Sequence, residues 1–477
     1  MQFKRSLVAA LTAPLWLAAC GGGGDDPTPS ERGQVLASSL AGQATAQQID
    51  AGTQASGLQP LSGPAQCNVD VRYIVYVTRD PQGQPATASA GVLVPSGSSA
   101  ACSGNRPVVL YAHGTTFTRT KNMAQVSDTD PDPAVDNSDS EAKLVMAMFA
   151  AQGYIVVAPN YLGYDRSSLT WHPYLNAEAQ AIDMIDALRA AKKVLTAESA
   201  TKPSSHLFIT GYSQGGHVAM ATHKVIERDY AREFTVTASG PMSGPYNLAK
   251  MTTIINSDGT NANVNAGGTL FTPLLLTSYQ KSYGNIYSSP SDAYQAPYAS
   301  TAETLFPTDT PIPTLIGQGK LPADPTFRQL FGAGGLINES FRQAFFSDPN
   351  NGFKAAVERN TLLGWTPQKP MALCYGAMDP TVFAFNSTDA AADFNSRLPA
   401  ELQVPAFDLE TTSSGTPPHL QAAFSLRKQQ VAQEAVANGA VDGGTSAVLA
   451  KYHGELVPPF CAALIRGFFG TVLMSSL

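Results

Sequence analysis

Charge is scarce in this chain. Only 14% of its 477 residues are Asp, Glu, Lys or Arg, the formal net charge is −7, and no basic block occurs anywhere. Such a surface cannot gather phosphates, which excludes nucleic acid as the expected partner class. Histidine is also sparse, at seven residues. His172, His206 and His223 have no partners at metal-ligand spacing, and no metal is expected. The acidic run of residues 128–141, DTDPDPAVDNSDSE, carries prolines where an EF-hand loop needs its glycine turn, so it is not read as a calcium site. The apolar run Leu7–Leu17 is too short to span a bilayer as a stable helix. No internal repeat is visible. What the chain does have is 43% hydrophobic residues, enough for one large domain with an insertion or for two domains.

The N-terminus is organised. Lys4 and Arg5, the short apolar run and small residues ahead of Cys20 have the layout of a secretory signal over residues 1–19. The ending LAAC resembles the lipobox of bacterial lipoproteins. That resemblance implies cleavage before Cys20, acylation of Cys20 by palmitate-type chains, and a membrane anchor on an exported protein, with Gly21 favouring the outer membrane. Residues 20–65, rich in Gly, Ser, Ala, Gln and Thr, are expected to be a flexible tether and lead-in. Four cysteines then remain: Cys67, Cys102, Cys374 and Cys461. An even number in an exported chain points to two disulfides. Of the three possible pairings the simplest is Cys67–Cys102 with Cys374–Cys461.

From Arg72 the pattern becomes that of a folded domain. The runs RYIVYVTRD and ASAGVLVPS alternate around PQGQP and predict an antiparallel hairpin at one edge of a sheet. RPVVLYAHGTT predicts a strand buried on both faces. Ser138 and Glu141 are spaced as a capping box for a helix that closes on Gly153. Strands YIVVAP, HLFITG and FTVTAS then alternate with helical stretches, the mark of a parallel sheet with right-handed crossovers. Over residues 247–369 the alternation stops, and a segment rich in Tyr, Phe, Pro and Ser with short helical patches such as ESFRQAFF replaces it. It is too long for an unstructured loop and is expected to be an inserted cap. The main pattern resumes with PMALCYGAMDP and VPAFDLE and ends in the helix PPFCAALIRGFFGTVL.

Residues 207–216, LFITGYSQGG, place a serine between a strand and a helix and cage it with glycines. With 40 glycines in the chain the pattern is not decisive alone. In this position, however, Gly211 and Gly215 leave room for a sharp turn that would lift the Ser213 hydroxyl off the sheet. A helix beginning at Gln214 would aim N–H groups at the same point. At these residues, and at YAHGT, APNYLGYD, CYGAMDPTVFAFNS and YHGELVPPFC, the chain resembles the α/β-hydrolase family, and within it the secretory-lipase-like serine esterases.

The resemblance covers Arg72 to the C-terminus and implies an α/β fold with a mostly parallel central sheet flanked by helices. It divides the chain into a first core segment, 66–246, a largely helical cap, 247–369, and a second core segment, 370–477, that starts with the strand carrying the acid. It implies a Ser-Asp-His triad in that chain order, with Ser213 as nucleophile and Asp379 as acid; Asp408 is a rival, and Asp389 reads as a solvated face residue. Two histidines follow Asp379. His419 lies where many hydrolases of this fold carry the base. His453 lies eight residues before Cys461, and a Cys374–Cys461 bridge would hold it near Asp379. His453 is the favoured base and His419 the alternative. The oxyanion donors would be the amides of Gln214 and Thr115, the latter in a short HGX-type loop at His113-Gly114-Thr115. Asn160–Asp165 and His217 read as structural. The implied activity is cofactor-free hydrolysis of carboxylic esters (lipid-like, aromatic or polyester-oligomer, as small molecules or oligomers). An amidase or peptidase of the same fold is the alternative, and a non-catalytic surface lipoprotein a third possibility.

Overall fold

The computed structural model describes residues 31–126, 138–411 and 415–475. The expected signal sequence, Cys20 and most of the acidic run lie outside the described residues. So does the side chain of Ser138.

Nine strands form one sheet: β1 Val35–Ala44, β2 Asn68–Arg79, β3 Pro85–Ser96, β4 Asn105–Ala112, β5 Ile155–Pro159, β6 Lys202–Tyr212, β7 Val236–Met242, β8 Leu373–Tyr375 and β9 Ala406–Asp408. Their spatial order is β1-β2-β3-β5-β4-β6-β7-β8-β9. The first three strands are antiparallel neighbours, and β3 also runs antiparallel to β5. From β5 through β4 to β9 every pairing is parallel. The β2–β3 hairpin turns on Asp80, whose carboxylate accepts from the amides of Gln82 and Gln84 at 2.9 and 2.8 Å.

Two expectations are overturned at this edge. The hairpin is not the sheet edge, and residues 31–65 are not a loose lead-in. β1 pairs along β2 from Val35 to Ala44, and a capped helix, Ala46–Ala55, follows it. The strand VLASSLAGQA is rich in small residues and none of it is buried, even Leu36 and Leu40 being exposed, so no burial pattern marks it. A buried ion pair secures the segment: Arg32 Nε lies 3.0 Å from Asp186 on the helix Ala177–Glu198.

Strand alternation sends successive side chains to opposite faces. Val108 and Leu110 of β4 pack with the helices Ala177–Glu198 and Gln214–Val225. Val109 and Tyr111 pack on the other face with the helices Ser138–Met148 and Val457–Ser475. The final helix is apolar enough to resemble a membrane span, but its buried stripe, including Cys461, Ile465 and Phe469, covers the sheet. Two disulfides form, Cys67–Cys102 and Cys374–Cys461, in the simplest pairing. The second joins β8 to the final helix with 5.5 Å between Cα atoms.

Between β7 and β8 the described chain forms short helices, the longest Gly268–Tyr283, and no strand beyond two isolated bridges, Tyr294 with Ile337 and Met371 with Ser239 of β7. This segment has its own apolar cluster built around Tyr279, Tyr294, Leu336 and Phe345. It meets the core at the loops that leave the C-terminal ends of the strands. Thr308 N donates to Phe117 O at 2.8 Å, Ala266 N to Pro380 O at 2.9 Å, and Tyr279 Oη to Leu175 O at 3.2 Å.

Candidate active site

Strand β6 ends at Tyr212, and the chain turns into the helix Gln214–Val225 through a single residue, Ser213. Its backbone, at φ 60° and ψ −121°, lies where non-glycine residues rarely go, so the surrounding structure must hold it there. Part of that hold is close backbone contact. A Cβ on Gly215 would lie 1.9 Å from Ala112 O at the end of β4, and one on Gly211 would lie 2.4 Å from the same oxygen. Ser213 N donates to Met242 O of β7 at 3.0 Å. The half-buried hydroxyl therefore stands at the C-terminal ends of three parallel strands.

His453 reaches it from the far end of the chain. Its Nε2 lies 2.7 Å from Ser213 Oγ and its Nδ1 lies 2.6 Å from Asp379 Oδ2. In the neutral ring this places the proton on Nδ1, donating to the carboxylate, and leaves Nε2 to accept from the serine hydroxyl. Asp379 is buried beyond β8, and its second oxygen accepts from the amides of Thr381 and Val382 at 2.9 and 3.0 Å. His453 sits in a π-helical turn, Tyr452–Leu456, ahead of the final helix. Such turns are short and strained and often occur at functional positions. Tyr212 Oη donates to His453 O at 2.6 Å, and the neighbouring Tyr452 Oη donates to Glu410 at 2.6 Å. His453 is thus held from the sheet, from the loop after β9 and through the Cys374–Cys461 bridge.

Comparison with known proteins fits this geometry. The rice cell wall degrading esterase LipA from Xanthomonas oryzae is 30% identical and superposes with a TM-score of 0.72 over 91% of this chain and 98% of that one. This chain belongs to the same family of α/β-hydrolases. Residues 140–237 of the hydrolase also match the model of the prolyl oligopeptidase family. That segment runs from the helix before β5 through the Ser213 turn to β7. A putative hydrolase from Legionella pneumophila (19% identity, TM-score 0.65, covering 92% and 98% of the two chains) shares the fold. So does Candida antarctica lipase A (13%, 0.53, 79% and 76%). No curated protein sequence matches the chain.

The remaining sequence candidates fall into place in the hydrolase. His419 is exposed at the start of the helix Pro418–Ala437 and makes no contact with Ser213 or Asp379 among the described residues. Asp408 braces the loop after β8 by accepting from Ala377 N at 3.1 Å. Asp389, read as a solvated face residue, is partly exposed and also pairs with the cap, accepting from Lys250 Nζ at 2.7 Å and Asn247 Nδ2 at 2.9 Å. His217 is buried and bonded to Asn360 O at 2.9 Å, with burial drawing its pKa down to about 4. His223 lies between Ser239 Oγ and Glu227, at 2.7 and 2.9 Å, inside the scaffold. Among the described residues no three His, Cys, Asp or Glu side chains converge on a common point that would hold a metal ion.

The loop after β4 carries Thr115, and its amide and that of Gln214 donate to no protein acceptor among the described residues. Glu141, expected to cap its own helix, gives its carboxylate to this loop. Oε1 accepts from Gly114 N and Tyr111 Oη, both at 2.9 Å, and Lys121 Nζ lies 3.5 Å from Oε2. Thr115 Oγ1 is 3.0 Å from Tyr174 Oη. His113 is fully buried, and desolvation draws its pKa down to about 3, so the ring is neutral. Sequence reasoning treated Asn160–Asp165 only as scaffold. In the structure, Tyr161 Oη donates to His113 O at 3.0 Å and Tyr164 Oη to Thr116 O at 2.7 Å. The loop thus hangs on those two phenols. The two tyrosines of this turn are the available signal, but nothing local in the sequence says which carbonyls they reach.

Proposed function

We propose that this serine hydrolase acts on carboxylic esters, with Ser213 as nucleophile, His453 as general base and Asp379 as the acid that orients the base. The observation that carries this reading is the unbroken chain of hydrogen bonds from Asp379 through His453 to Ser213 at 2.6 and 2.7 Å. The Ser213 hydroxyl attacks the ester carbonyl while His453 Nε2 takes its proton. Asp379 keeps the Nδ1 proton in place and stabilises the imidazolium. The amides of Gln214 and Thr115 face the oxygen that becomes negative. His453 then returns the proton to the departing alcohol, leaving an acyl group on Ser213, and water repeats the sequence to release the acid.

The substrate reading is an ester with an apolar or aromatic acyl or alcohol part. Half-buried Phe117, on the Thr115 loop, faces Phe271 and Phe306 of the cap at ring-centroid distances of 5.9 and 4.9 Å, so aromatic surface adjoins the expected oxyanion loop. The relative LipA is described as a cell wall degrading esterase, which supports an ester over an amide and a substrate met outside the cell. Export with an acylated Cys20 remains part of the reading through the lipobox resemblance. The prolyl oligopeptidase match supports the shared strand-turn-helix scaffold and does not discriminate between bond types.

Matched p-nitrophenyl esters and p-nitroanilides of graded chain length test the reading. Rapid release from the esters is expected, with anilides slower by orders of magnitude. Anilides cleaved as fast as esters would make the protein an amidase.

A further inference from the structure

His172 lies outside the triad yet is joined to the residue beside the nucleophile. It is fully buried, its Nδ1 is 2.7 Å from Leu162 O, and its Nε2 is 2.6 Å from Gln214 Nε2. A carbonyl only accepts, so Nδ1 carries the proton and donates to Leu162. Nε2 then presents a lone pair and accepts from the Gln214 amide nitrogen. Burial draws the pKa of His172 down to about 3, so the ring stays a neutral acceptor across the working pH range. Gln214 is itself buried to 1% exposure, and its Oε1 finds no partner among the described residues. The bond to His172 is therefore the chief polar anchor of that side chain, with Gln180 Nε2 at 3.4 Å from the same ring nitrogen.

The same segment holds the other donor. The ring of His172 stacks on Tyr161 at 5.6 Å and 17°, and Tyr161 stacks on His113 at 4.1 Å and 27°. Tyr161 adopts the left-handed conformation, φ 67°, a cost the surrounding contacts must support. Tyr161 and Tyr164 also carry the Thr115 loop through the carbonyls of His113 and Thr116. One packed unit, residues 160–164 with His172, thus grips both Gln214 and the Thr115 loop.

We infer that His172 is a positioning residue that sets the Gln214 amide against the Thr115 amide, so that both point at one oxyanion. This inference rests on the proposed roles of Ser213 and the two amides. Oxyanion stabilisation depends on fixed donor geometry, and a small displacement weakens it without changing how the ground-state ester is held. Loss of the His172 bond should therefore appear in kcat and not in KM.

The test compares His172→Asn with His172→Gln on p-nitrophenyl butyrate. Asn can still donate to Leu162 O but does not reach Gln214. Gln places an acceptor oxygen near the position of Nε2. His172→Asn is expected to lower kcat by about 10- to 100-fold, with KM within about 3-fold, and His172→Gln to recover most of the loss. Gln214→Met cuts the same bond from its other end and leaves His172 in place should His172→Asn fold poorly. It should show the same kcat loss, and the double variant His172→Asn/Gln214→Met should be no worse than either single one. An unchanged kcat in a folded variant, a loss confined to KM, no recovery with Gln, or additive losses would overturn the inference. Full activity in Ser213→Ala would instead overturn the reading on which it rests.

Discussion

The core and the cap of this hydrolase are built by different rules. In the core, strand alternation assigns each side chain to a face, and parallel pairing from β5 to β9 brings strand ends to one rim. Ser213 and Asp379 follow two of those ends, and His453 is tied to the same rim by a disulfide. In the cap, short helices gather around their own aromatic cluster and meet the core through backbone hydrogen bonds, side-chain bonds such as those of Asp389 and Asn360, and the aromatic contact at Phe117. On the proposed reading, the core places the reacting atoms and the cap supplies substrate surface. Changes in the core should remove turnover, and changes in the cap should move selectivity.

The strongest test of that division is Ser213→Ala, expected to lower kcat by about 10⁴-fold or more while leaving the melting temperature nearly unchanged. Retained turnover would place the nucleophile elsewhere, the cap included. Next come the disulfides. In the chain-entropy model, removing either costs about 4 kcal/mol of stability, given sequence separations of 35 and 87 residues. Only the Cys374→Ala/Cys461→Ala variant, which frees the helix behind His453, should also lose kcat below its melting temperature. Cys67→Ala/Cys102→Ala, far from the site, should keep it; denaturant midpoints and initial rates separate the two.

At the seam between the loop after β4 and the cap, Phe117→Ala should raise KM for long-chain p-nitrophenyl esters by about 10-fold and leave the acetate within about 3-fold, since little apolar surface is involved in the latter. A uniform fall in kcat would show that the aromatic contact serves the chemistry instead. A smaller effect concerns stability alone. Asp183, fully buried on the core helix and bonded to Tyr76 Oη and Leu162 N, has its pKa pushed up to about 7, chiefly by desolvation. The folded chain holds this proton after the unfolded chain has released it near 3.8, so its contribution is complete at low pH and is lost as pH rises toward about 7. Asp183→Asn should remove that slope, so that the variant gains a few degrees relative to the parent between pH 5 and pH 8. Melting curves across that interval check it. Smallest of all, His419→Ala should leave kcat within about 2-fold, because an exposed ring with no contact to the triad has no proton to move.

Much of the core was legible because its signals are local. The β4 and β6 strands are continuous apolar runs, and the glycines around Ser213 announce a turn that only they permit. His453 stands out from His419 in the sequence because a Cys374–Cys461 bridge would tie the final helix to the strand before Asp379, and His453 does lie beside Asp379. What escaped was whatever depends on a partner distant in sequence. β1 has no pattern because it buries almost nothing. Glu141 fits a local capping pattern in the sequence, and its carboxylate serves Gly114 and Lys121. His172 failed a test for metal spacing, whereas its partner is a glutamine 42 residues away. Asp389 is a partly exposed surface charge, as the sequence suggests, but its pairing with Lys250 of the cap has no local signal.

The most direct measurement is the rate at which a fluorophosphonate labels the protein, with peptide mapping of the adduct, in the parent, His453→Ala and His419→Ala. The account predicts a single adduct on Ser213, formed at the parental rate in His419→Ala and slowed by orders of magnitude in His453→Ala. An adduct on another residue, or loss of labelling in His419→Ala with full labelling in His453→Ala, would contradict it.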